Sequence, residues 1–151
     1  MTKSYRPCVV GVFQEPNGKV MVCQRLDASN AWQFPQGGME AGESPDEALR
    51  REMREELGSE LFAITSRAEQ PVRYEWPDGA RGKYKDLYCG QEQWWFLLRW
   101  HEGAQPQWDQ ATDPEFDDSK WVAPQQAVDG IISWKRAAYC SGLTQLGFEV
   151  E

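Results

Sequence analysis

Apolar residues along this chain fall into short blocks separated by glycine, proline and polar turns. Cys8 to Gln14 is one such block and predicts a strand. Glu15-Pro16-Asn17-Gly18 supplies a turn with a strong Asn-Gly signal, and Lys19 to Arg25 predicts the return strand, so the two are expected to form a hairpin. A short extended piece is expected at Trp32 to Pro35. Strands are expected at Leu61 to Ala68, Val72 to Trp76, Trp94 to Trp100 and, briefly, Lys120 to Val122. Pro77 to Gly90 and Gly103 to Asp118 are polar and predict loops. Pro124 to Val128 and Ser133 to Leu146 predict helices.

The best-marked element is a helix over Pro45 to Leu57. Ser44 is its N-cap, Pro45 takes the first helical position, and Glu47 completes a capping box. Gly58 suits the left-handed residue that ends it. Leu49, Met53 and Leu57 recur every fourth residue and form an apolar stripe. Strands and helices follow one another without strict alternation, which predicts an α+β fold.

Beside the apolar stripe lie Glu52, Glu55 and Glu56, which share one face at helical spacing. Their charges repel, and a hard divalent cation with oxygen ligands would relieve that repulsion. The plainer alternative is a solvated face on which glutamates pair with Arg50, Arg51 and Arg54.

Composition narrows the choice of partner. A length of 151 residues fits one domain over 1–151, with 40% hydrophobic and 26% charged residues. The net charge of −8 argues against a protein that grips duplex DNA by a broad cationic surface. It leaves room for a local phosphate site neutralised by metal ions. Eight tryptophans in 151 residues is a high count; tryptophan serves cores, and it also stacks on nucleobases. Cys8, Cys23, Cys89 and Cys140 form no C-x-x-C pair, so reduced thiols and a cytoplasmic location are expected. No apolar stretch is long enough to cross a membrane.

Residues 37 to 59 read GGMEAGESPDEALRREMREELGS. This segment resembles the Nudix box, G-x(5)-E-x(7)-R-E-U-x-E-E-x-G-U, with U a bulky apolar residue. Gly37, Glu43, Arg51, Glu52, Glu55, Glu56 and Gly58 fill the fixed positions, and Met53 fills the first apolar slot. Ser59 in the last slot departs from the pattern at a position that packs after the helix. The resemblance continues through Tyr5-Arg6-Pro7, Trp32 to Gly38, Gly90 to Phe96, Pro114-Glu115-Phe116 and Ser133 to Arg136. In those flanking runs the chain is similar to bacterial RNA pyrophosphohydrolases and to asymmetric diadenosine tetraphosphate hydrolases.

The resemblance implies an α/β/α sandwich with a mixed central sheet and a metal-dependent pyrophosphohydrolase. Two or more magnesium or manganese ions are expected on Glu52, Glu55, Glu56 and Glu115, with the backbone at Gly37 approaching closely for want of a Cβ. Arg51 and Glu43 are expected to pair and fix the preceding loop to the helix. Arg6, Arg25 and Lys135 are expected to contact a polyphosphate, Trp134 to stack on a base, and Gln91 to supply a polar contact nearby. The substrate implied is the 5′ end of RNA or, alternatively, a dinucleoside polyphosphate. A non-catalytic binding module is a third reading, disfavoured because every box glutamate is present. Arg81, Lys83 and Lys85 form the densest basic stretch, either a phosphate guide or a solvated loop.

Overall fold

The structure, a computed structural model, describes residues 4–79 and 87–151. Eight strands are described: β1 Ser4–Phe13, β2 Val20–Arg25, β3 Trp32–Gln33, β4 Gln36–Gly38, β5 Phe62–Arg67, β6 Val72–Glu75, β7 Tyr88–Trp100 and β8 Phe116–Val122. The helices are α1 Pro45–Leu57, α2 Pro124–Gly130 and α3 Arg136–Gln145. Single 3-10 turns stand at Trp108–Gln110 and Ser133–Lys135. The basic residues at 81, 83 and 85 lie outside the described residues.

The larger sheet is mixed. β1 runs parallel to β7 along its whole length, and β4, β5 and β6 add antiparallel strands. Period-two alternation sends β1 side chains to two different cores. Val9 and Phe13 join Leu49, Met53 and Leu57 of α1, together with Phe96 and Leu98 of β7. Val10 and Val12 face the other way, toward Val128 of α2 and Tyr139 and Leu143 of α3. Helices therefore cover both faces of the sheet, as the α+β sandwich expectation required. The second sheet, β3-β2-β8, divides in the same manner, Val20 and Val22 joining one core and Met21 and Cys23 the other.

The expected hairpin is not formed. The Asn-Gly turn is closed, with Glu15 N–H donating to the Lys19 carbonyl at 3.0 Å, but only an isolated bridge between Gln14 and Val20 joins the two segments. β1 pairs with β4 and β7, and β2 pairs with β3 and β8. Each strand finds long, well-matched partners elsewhere, and that burial outweighs the local turn preference.

Three strands are longer than expected, the first being β1, which begins at Ser4 rather than Cys8. β7 extends back to Tyr88 through Gly90-Gln91-Glu92-Gln93, a polar run that gives no apolar signal yet pairs with Tyr5 to Cys8. β8 starts at Phe116 inside the expected Gly103–Asp118 loop. Phe116 is the one fully buried residue of β8, and the exposed Asp117 and Asp118 that follow it hide the start of the strand from apolar periodicity. The last expected helix is also divided, because Ser133–Lys135 winds as a 3-10 turn before α3 begins.

Candidate active site

Helix α1 is built as its sequence dictates. Glu47 N–H donates to Ser44 Oγ at 3.2 Å, Ser44 N–H donates to Glu47 Oε1 at 3.1 Å, and Gly58 closes the helix at φ 74°. Ser59, the departure in the box, turns its hydroxyl to the Leu61 N–H at 3.2 Å. With Leu49, Met53 and Leu57 locked in the core, Glu52, Glu55 and Glu56 are fixed along one edge of the helix.

Arg51 ties the preceding loop to this edge. Its guanidinium forks onto Glu43, Nε to Oε2 at 2.6 Å and Nη2 to Oε1 at 2.9 Å. It also donates to Glu52 Oε1 at 2.9 Å, Glu55 Oε2 at 3.0 Å and the Gly38 carbonyl at 2.8 Å. Bidentate, charge-assisted bonds of this kind are strong and orienting. The hydrogen bond from Arg51 holds the Glu43 carboxyl below the usual carboxylate range. In return Glu43, then Glu52, drives the guanidinium further toward its charged form.

Glu56 is in the opposite situation. It is 2% exposed, and its Oε2 is buried with no hydrogen-bond partner among the described residues. Burial, then the charges of Glu115 and Glu52, push its carboxyl well above the usual value. Burial likewise raises Glu52, although Arg51 opposes the shift. Glu115 stands at the exposed rim, where partial desolvation against the wall and the charge of Asp113 raise its carboxyl. Such raised values mark carboxylates whose negative charge is under-compensated.

Glu52, Glu55 and Glu115 line one pocket of about 1020 Å³, together with Arg6, Gly37 and Gln91. A Cβ on Gly37 would run into the Glu52 carboxylate, and one on Gly38 into the Arg6 guanidinium. The glycine pair thus lets a carboxylate and a guanidinium press against backbone. An amide chain orients Gln91: Gln93 Nε2 donates to Gln91 Oε1 at 3.0 Å and Gln36 Oε1 at 3.1 Å, while Trp95 Nε1 donates to Gln93 Oε1 at 3.1 Å. Gln36 and Glu115 also border a second cleft of about 400 Å³, lined by Arg25 and Lys135.

Not every expected residue reaches the pocket in the same way. Arg25 forks onto Asp27, Nε to Oδ1 at 2.8 Å and Nη2 to Oδ2 at 2.5 Å, at the cleft rim. Trp134 is half-buried against Tyr74, ring centres 5.7 Å apart, with the Lys135 ammonium 5.3 Å from its ring, and it is absent from the walls of both cavities. Three pocket residues carried no signal in the sequence: Asp113, Tyr88 and Cys8. Asp113 sits in a stretch read as polar loop, and Tyr88 in one read as the end of a loop. Cys8 is an isolated thiol, which burial pushes up to about 11, so it is unreactive at neutral pH.

The site's fit to divalent ions is mixed in its present geometry. Among the described residues, no three acidic, histidine or cysteine side chains are close enough to grip one ion as they stand, and Arg51 holds an oxygen each of Glu52 and Glu55. The donor set itself is all oxygen, as magnesium and manganese require. The orphaned Glu56 oxygen lacks the partner that a buried charge needs, and a cation would supply it. The residues therefore fit such an ion once Arg51 yields those oxygens.

Residues 4–140 match the NUDIX domain. This chain belongs to the Nudix family. It is 40% identical over 142 residues to an RNA pyrophosphohydrolase of Erythrobacter litoralis, covering 89% of this chain and 86% of that protein. To an RNA pyrophosphohydrolase of Roseobacter denitrificans it is 41% identical over 144 residues, covering 92% and 89%. The Nudix fold is matched by the E. coli dihydroneopterin triphosphate pyrophosphohydrolase, with a TM-score of 0.69, 23% identity and coverage of 92% of this chain and 97% of that one. A C. elegans Ap4A hydrolase shares the fold with a TM-score of 0.62 and 18% identity, over 95% and 99% of the two chains. Nudix hydrolases generally use divalent metals. No described helix of this Nudix protein is long and apolar enough to cross a membrane.

Proposed function

We propose that this chain acts, as one domain, as a cytoplasmic RNA pyrophosphohydrolase. It converts the 5′-triphosphate or diphosphate end of RNA to a 5′-monophosphate, releases pyrophosphate or phosphate, and so promotes mRNA decay. Two or more magnesium or manganese ions, held by Glu52, Glu55, Glu56 and Glu115, are its cofactors. The observation that carries the chemistry is Glu56, a buried carboxylate with an orphaned oxygen at the centre of an acidic cluster. The choice of substrate is supported by relatives of that name at 40–41% identity over most of the chain.

Divalent ions bound there supply the positive charge that the spreading phosphoryl charge requires, and they lower the pKa of an attacking water. The chain's own residues do the rest. Arg51 ties the Glu43 loop and the Gly38 carbonyl to α1, and on ion binding it releases its Glu52 and Glu55 oxygens while keeping the fork onto Glu43. A cluster glutamate takes the proton of the attacking water. Arg6 on the pocket wall and Lys135 in the adjoining cleft hold phosphate oxygens, and Arg25 joins them by exchanging Asp27 for phosphate. Trp134 stacks on a base and Gln91 contacts it, which requires Trp134 to swing toward the cleft. A grip on one or two nucleotides needs no cationic groove, in keeping with the net charge of −8.

The test is a substrate panel: 5′-labelled triphosphate RNA, its diphosphate form and diadenosine tetraphosphate, each with magnesium and with manganese. A higher kcat/KM for the RNA ends supports the proposal. A higher value for diadenosine tetraphosphate, yielding ATP and AMP, reassigns the chain to dinucleoside polyphosphates. Ligand binding without any product reassigns it to a binding module.

A further inference from the structure

Asp113 stands outside both the 37–59 box and the Pro114-Glu115-Phe116 run. Backbone bonds fix its position. Asp113 N–H donates to the Glu55 carbonyl at 3.0 Å, and Gln107 N–H donates to the Leu57 carbonyl at 2.7 Å. These bonds staple the 107–113 stretch along the last turn of α1, whose carbonyls have no partners within the helix. Two residues on, the Glu115 carbonyl accepts from Leu26 N–H at 2.9 Å. Asp113 is thus anchored on both sides without use of its own side chain.

That side chain is exposed on the wall of the pocket that holds Glu52, Glu55 and Glu115. It lies within electrostatic reach of Glu56 and Glu115. An acidic cluster alone could be a solvated surface, but Glu56 tells against that. It is 2% exposed, its Oε2 is buried without a hydrogen-bond partner among the described residues, and it lies within electrostatic reach of Glu115, Glu52 and Asp113. Among the described lining residues, Arg6 and Arg51 supply the pocket's side-chain cations, and Arg51 is already committed to Glu43, Glu52 and Glu55. A polyphosphate entering beside a fifth carboxylate would be repelled unless that carboxylate brought positive charge with it.

We propose that Asp113 is a further cation-binding carboxylate of this pocket, holding a divalent ion through water beside Glu55 and Glu115, since no three carboxylates among the described residues stand close enough to grip one ion directly. The proposal rests on the metal-dependent reading above. Its consequence is one more ion, or tighter binding of the outermost one, than the box glutamates and Glu115 would hold alone.

The experiment is a titration of the full chain with Mn²⁺ in the absence of substrate, free ion being followed by electron paramagnetic resonance. Asp113→Asn is expected to lose the weakest-bound ion or to weaken it about tenfold. Asp113→Glu, which keeps the carboxylate, should recover part of that binding. Asp109→Asn, an acid outside the pocket wall, should bind like the parent. A binding curve for Asp113→Asn that matches Asp109→Asn overturns the proposal. Glu56→Gln separates the two levels of failure. If it loses Mn²⁺ while Asp113→Asn does not, only the assignment of Asp113 falls. If neither loses Mn²⁺, the metal-dependent reading falls with it. Melting temperatures of all variants confirm that each one titrated is folded.

Discussion

The loop that leads into α1 and the buried edge of the helix's second half use the same residue type to opposite ends. Glu43, in the loop, is gripped by a forked guanidinium and held below the usual carboxylate range. Glu56, on the helix edge, is buried within electrostatic reach of Glu115 and Glu52 and pushed well above it. The first arrangement resembles a structural ion pair, in which every charge has its counter-charge within the chain. The second leaves a buried carboxylate oxygen without a counter-charge, at a cost in stability whenever the group is ionised. A carboxylate's role here is set by its neighbours, not by its place in a motif.

The largest effect should come from changing the buried carboxyl of Glu56. Glu56→Gln is expected to cut hydrolysis of triphosphate RNA about 10³-fold with magnesium. It should leave the metal-free melting temperature unchanged or, above the raised pKa of Glu56, increase it, because there an uncompensated buried charge is removed. Steady-state assays and thermal unfolding check both parts, and a variant with parental turnover would remove Glu56 from the site.

Removing the counter-charge from the loop should do the reverse. The side chains of Arg51 and Glu43 are 14% and 16% exposed, so Arg51→Ala strands a largely buried carboxylate and frees Glu52 and Glu55 to repel. A loss of about 3 kcal/mol is expected by denaturant titration. Arg51→Lys should restore only part of it, since an ammonium cannot fork onto Glu43. The contrast between the two regions fails if Glu56→Gln destabilises the metal-free protein more than Arg51→Ala does.

The smallest effect, and the sharpest in sign, lies in the pH dependence of the metal-free protein. Glu43 has a folded pKa below its ordinary value of 4.5, so its stabilisation is present above that value and is lost as pH falls through the depressed one. Glu56 has a folded pKa above 4.5, so its contribution is present below that value and is lost as pH rises through the raised one. Glu43→Gln should therefore flatten the acid side of the melting curve against pH, and Glu56→Gln the side above pH 4.5. Magnesium should flatten that upper side in the parent as well, because a bound cation favours the ionised Glu56. If both variants flatten the same side, the two carboxylates do not differ as described.

Helix α1 was legible residue by residue, because capping, the N-terminal proline, the apolar stripe and the closing glycine are local devices. The order of the acidic face came with it, since helical spacing alone puts Glu52, Glu55 and Glu56 on one edge. The hairpin was misjudged from the same kind of local signal. A turn can fix where the chain reverses, but not which strand its flanks will pair with. The Gln91–Gln93 segment and the start of β8 were missed because strands that present polar side chains to a pocket or to solvent carry no apolar periodicity.

What the sequence determined by itself was the helix and the chemical type of its edge, because short-range geometry suffices for both. Only the tertiary structure decided that Glu56 is buried without a partner while Glu43 is satisfied, that Asp113 joins the pocket wall through a backbone bond to Glu55, and that Arg25 rests on Asp27. Burial and charge compensation depend on atoms brought together from distant parts of the chain, and it is those quantities that separate a structural carboxylate from a functional one.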